Sequence, residues 1–201
     1  FFVNYTLGKA TKNAAMASKA RSDLDSYRTS FGQLIHSVVP ELPADAVAKE
    51  LIPHVQSLTA AIDAAVAGSP GYQAKLAAAA AHMPMTAQIL TGGIVANKHL
   101  DGNVGGTAAT VRAVLTAQLV DHVWLAGNAL DTAVDKGGNL KDPAVKGAVA
   151  ALDANSVALA KTLGSVYPKA QAPFLASWRQ HIGFFVNYTL GKATKNAAMA
   201  S

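Results

Sequence analysis

Apolar positions along this chain recur at helical spacing and almost never alternate. Arg21–Val39 carries Leu24, Phe31, Ile35 and Val38; Ala150–Val166 carries Leu152, Leu159, Leu163 and Val166. Residues spaced three, four and seven apart fall on one face of an α-helix. Three further stretches centre on a histidine: Glu50–Val55 around His54, Gln118–Val123 around His122, and Ser177–Ile182 around His181. Four and eight residues beyond each come Leu58/Ile62, Ala126/Leu130 and Phe185/Thr189, again helical spacing. The segment Tyr72–Asn97 supplies a further helix, and no strand pattern of useful length appears. Breakers separate the helices: Pro40–Pro43, Gly68–Gly71, and Gly137-Gly138 with Asp142-Pro143. Asp before Pro reads as an N-cap followed by proline in the first turn.

The expected fold is therefore all-α: an antiparallel helical bundle of three αα-hairpins, each with a histidine-bearing first helix. Short connections favour antiparallel neighbours, and alanine-rich helices pack closely.

A perfect repeat lies over this pattern. Residues 1–18, FFVNYTLGKATKNAAMAS, recur letter for letter at 184–201, an offset of 183. Fixed-period identity is the mark of repeat proteins. The second copy falls inside a helix expected from Ala172 to about Ala198, and Phe1 has no capping residue before it. The expectation is a window from a tandem array: residues 1–100 as the C-terminal two-thirds of one bundle, 101–106 (DGNVGG) as a Gly-rich linker, and 107–201 as the N-terminal half of the next. The truncated first copy is expected to expose Phe1, Phe2 and Tyr5. With Trp178, Phe184, Phe185 and Tyr188 these form the candidate assembly set.

Composition narrows the function. Cysteine is absent, so disulfide scaffolds, thiolate metal centres and Cys nucleophiles are excluded. Lys and Arg number 17 against 12 Asp and Glu, a scattered net +5 that is too mild for a nucleic-acid stripe. Leu76–Asn97 is uncharged but holds proline, glycines and many polar groups, which argues for a core helix and against a membrane span. GNVGG follows no strand and has no Lys-Ser/Thr after it, so it is not a phosphate loop. No nucleophile motif or carboxylate pair is present, and an enzyme is not expected.

The segments LTAQLVDHVWLAG, ALDANSVALAKTLGSVY, FLASWRQHIGFFVNYT and AHMPMTAQILTGGIV resemble a family of exported bacterial helical proteins, common in actinobacteria and bacilli. The resemblance implies an all-helical exported domain, usually preceded by a signal peptide, with no catalytic residues to carry over. The leading expectation is a non-enzymatic structural protein at the cell surface or outside the cell, joined head to tail with copies of itself. The alternative is a copper-type metal-binding bundle using His54, His82, Met85, His122 and His181, since imidazole and thioether donors suit Cu(I). Beside it stands a packing role for the histidines, with His122 paired to Asp153 and His181 to Asp25.

Overall fold

The computed structural model describes residues 1–193, 195, 196 and 198. Among them every regular element is helical. They are α1 (Phe2–Ala10), α2 (Ala14–Val38), α3 (Ala44–Val66), α4 (Tyr72–Ala80), α5 (Met83–Lys98), α6 (Thr107–Asp135), α7 (Pro143–Val166) and α8 (Gln171–Ala193), with a 3-10 turn at Pro168–Ala170. The breakers lie where expected. Gly68, Gly137 and Gly138 take positive φ after α3 and α6, a region glycine enters without steric cost. The Asp142 carboxylate caps α7 by accepting from the Ala144 N–H at 2.8 Å, with Pro143 in the first turn.

Two helices end earlier than their hydrophobic pattern suggests. Tyr72–Asn97 is not one helix but two, broken at Ala81-His82. Pro84 is the cause: it lacks an N–H and clashes with the preceding turn, so it sits at the start of α5. The helix expected to run to Ala198 breaks as well. Lys195 has φ +55, and the Asn196 N–H donates to the Gly191 carbonyl at 2.7 Å. The first copy makes the same turn: Lys12 has φ +56, and Asn13 N–H donates to Gly8 at 2.7 Å. Asn13 then caps α2 by accepting from Met16 N–H at 3.0 Å. Positions 194, 197 and 199–201 lie outside the described residues.

The chain forms two compact units, Phe1–Ser69 with Ala78–Ala113, and Pro70–Ala77 with Val114–Ser201. In the first, α2 packs along α3, and α1 lies against both. Its buried apolar residues include Tyr5, Leu24, Val47 and Ala61. Residues 101–106 are the irregular connection between α5 and α6.

In the second unit α7 is the central helix. Ala148, Ala151 and Leu152 meet Leu125 and Ala129 of α6, and Ile182 of α8 packs against that cluster. Alanine and serine along α7 let the helices approach closely: Ala160 and Ser156 are fully buried, the Ser156 hydroxyl donating to Leu152 O one turn back at 3.0 Å. Among the described residues no helix is long and apolar enough to cross a membrane.

Candidate assembly surface

The repeated segment is the place where sequence and structure pull apart. In its first copy, α1 is seated on α2 and α3. Tyr5 is 1% exposed. Its hydroxyl donates to Asp63 Oδ1 at 3.0 Å and accepts from Arg21 Nη2 at 2.7 Å. Lys9 Nζ stands 3.1 Å from the same carboxylate oxygen, and the Arg21 guanidinium lies 5.0 Å from the Tyr5 ring centre. Gly8 completes the fit, because a Cβ there would meet the Ala17 backbone nitrogen at 2.6 Å. Phe2 is half-buried, its ring edge-on to His54 at 6.3 Å between centres.

The expectation that Phe1, Phe2 and Tyr5 are all left exposed therefore holds only for Phe1, whose ring lies 5.6 Å from that of Tyr27. The other two find partners on α2 and α3 of their own chain. Asp63 is the residue that sequence reasoning missed. Nine residues beyond His54, it reads as a solvent-side or hairpin-turn acid. Only the packing of α1 against α3 reveals it as the anchor for a tyrosine 58 positions away.

The second copy, within α8, makes other contacts. Tyr188 corresponds to Tyr5 and is 52% exposed, with Lys192 Nζ 5.5 Å from its ring centre. Phe184 and Phe185 are exposed too. Instead, Ile182, Val186 and Leu190 line an apolar groove of about 370 Å³ with residues of α6 and α7. Val3 and Leu7, the first-copy equivalents of Val186 and Leu190, are exposed. The same letters thus use different faces in the two settings.

The candidate metal residues divide between the two units. His54 and His82 belong to the first. His82 Nε2 lies 3.0 Å from Glu50 Oε1, which also accepts from the Thr86 hydroxyl at 3.2 Å. His54 Nδ1 is buried without a hydrogen-bond partner. Burial pushes the His54 pKa below its usual value, and the nearby His82 adds to the effect. Met85, three residues from His82, is exposed.

His122 and His181 belong to the second unit, where they meet with ring centres 5.4 Å apart. Trp178 covers both, at 5.0 Å from His122 and 4.7 Å from His181, and its indole N–H donates to His122 Nδ1 at 3.4 Å. His181 Nδ1 is 3.0 Å from the Trp178 carbonyl, and Phe185 sits edge-on to His181 at 5.6 Å. Burial lowers the His122 pKa, His181 lowers it further, and a hydrogen bond with Asn155 opposes both.

The expected acid partners are engaged elsewhere. Asp153 binds Arg179 in a bidentate pair at 2.7 and 2.8 Å. That bond to Arg179 holds the Asp153 carboxyl below its usual pKa. Asp25 accepts from Arg28 at 2.7 Å. In each case an arginine on a facing or adjacent turn outcompetes a histidine, because its planar fork matches a carboxylate. Among the described residues no three His, Asp or Glu side chains converge as metal ligands. Comparison with protein-family models, curated proteins and solved structures finds no match.

Proposed function

We propose that this is a non-enzymatic structural protein whose copies join head to tail through the repeated segment. On this reading the period is an antiparallel bundle of three αα-hairpins, and the product is a fibre or surface layer outside the cell. The export follows from the resemblance noted above. One observation carries the assembly reading: identical residues are seated on α2 and α3 at one end of the chain and present Phe184, Phe185 and Tyr188 to solvent at the other. A patch of adjacent exposed aromatics on a monomer marks an interaction site. A donor end and a different acceptor end make a heterologous contact, which propagates into filaments unless the rotation closes a ring.

Sedimentation velocity over a wide concentration range, with negative-stain microscopy of the heaviest fractions, tests this. The expected result is an open series of multiples of 20.6 kDa. A single species of that mass at every concentration refutes the reading.

A further inference from the structure

The repeated segment has two separate contact faces, and each copy uses one of them. In α1 the face holding Tyr5 and Gly8 is buried, with Phe2 and Thr6 at its border, while Val3 and Leu7 face solvent. In α8 Val186 and Leu190 line the groove against α6 and α7, while Tyr188 is exposed. At about 100° per residue, Val186 and Tyr188 project roughly 160° apart around the helix axis. One helix can therefore hold its groove in the second unit and still offer the tyrosine face to another surface.

The complementary surface is already on the page. The α2/α3 face that receives Tyr5 fits this sequence, because it holds this sequence. It also extends beyond α1. Where α1 stops at Phe1 and Phe2, a cleft of about 460 Å³ continues between Tyr27 and Phe31 of α2 and Leu51 and His54 of α3. α1 has 9 residues, whereas α8 has 23 and continues for several turns ahead of the repeated segment.

We infer that the occupant of this longer face is α8 of a second copy of this chain, seated in place of α1. Tyr188 takes the place of Tyr5 between Asp63 and Arg21. Lys192 takes that of Lys9 beside Asp63, and the turn of α8 before Phe184 runs along the Tyr27–His54 cleft. This rests on the assembly reading and names its register. The exchange replaces like with like over the repeated segment, so it is an exchange of identical elements between molecules, a low-cost route to association. The tethered α1 competes at a high effective concentration, so assembly requires concentrated protein or a weakened α1.

The test uses the full chain, mixed in equal amounts of unlabelled and nitrogen-15 protein at concentrations where multiples sediment. A carbodiimide couples a carboxylate to an amine in contact as an amide, and trypsin follows. Lys9 and Lys192 report on separate peptides, one beginning at Phe1 and the other after Arg179. The expected product is Asp63 joined to Lys192 across the isotope label, falling at least tenfold in Tyr188→Ala. Tyr5→Ala is expected to lower the concentration needed for assembly by at least tenfold. If multiples form but Asp63 couples only to Lys9, or Tyr188→Ala leaves the intermolecular product unchanged, this register is wrong and the assembly reading stands. If no multiples form, both fall.

Discussion

Tyr5 and Tyr188 provide an internal control that few chains contain: the same substitution in the same local sequence, in two tertiary settings. Replacing Tyr5 by Phe removes one hydrogen bond to a carboxylate at 3.0 Å and one from a guanidinium at 2.7 Å. Hydrogen bonds to charged groups contribute about 1.5–3 kcal/mol when buried. Here Asp63 keeps Lys9 at 3.1 Å, and its side chain is 37% exposed, so water compensates part of the loss. The expected cost is about 1–2 kcal/mol. Tyr5→Ala also empties a fully buried ring site, at about 3–5 kcal/mol.

At Tyr188, a half-exposed position, Phe is expected to change stability by no more than about 0.5 kcal/mol. Intrinsic helix propensity shifts equally at the two positions, so the difference between them isolates the seating of the segment on α2 and α3. Urea denaturation of dilute, monomeric protein measures it, with midpoints compared at constant slope. Equal effects at the two tyrosines, to within about 0.5 kcal/mol, would refute the view that α1 is held by Asp63 and Arg21.

Gly147→Ala is expected to destabilise by about 1–3 kcal/mol, because its Cβ would drive into the Pro70 carbonyl; Gly127→Ala, with open space around it in α6, is expected to stabilise by up to about 1 kcal/mol. Thermal melts of the two variants should move in opposite directions. Lys12→Gly relieves a non-glycine residue in the left-handed region and is expected to add up to about 1 kcal/mol by urea denaturation, with Lys195→Gly relieving the same turn in the second copy.

Stability is also expected to fall as pH drops below about 6.5. His54 and His122 have depressed pKa values in the folded state, so the unfolded chain binds more protons in the window between the folded values and the ordinary one. Urea midpoints across that window should rise with pH, and less steeply in His54→Gln.

The helices were legible because the alanine-rich stretches between Gly and Pro breakers permit little else. Asp142-Pro143 and the glycines at 68, 137 and 138 act through local backbone preferences, so they mark boundaries without knowledge of the fold. Pro84 illustrates where such reading slips. Its hydrophobic surroundings continue a helical period, yet the missing N–H forces a break at Ala81-His82.

The side-chain partners were less legible. Asp153 and Asp25 are adjacent in register to histidines, but arginines within reach bind them instead. Asp63 gave no signal at all, since its partner is 58 residues distant and on another helix.

The two copies of FFVNYTLGKATKNAAMAS divide the determinants most cleanly. What the letters determine by themselves is the same in both: a helix, then a turn with Lys at φ +56 or +55 and an Asn N–H returning to a glycine carbonyl at 2.7 Å. These depend on bonds within a few residues and are reproduced wherever the sequence occurs. What the letters leave open is which side of that helix is buried. Its apolar residues encircle enough of the axis to offer two faces, and burial goes to whichever meets a complementary surface. α2 and α3, with Asp63 and Arg21, select the tyrosine face in the first copy; α6 and α7 select Val186 and Leu190 in the second. Hydrophobic burial is non-directional, so only the neighbouring helices could decide it.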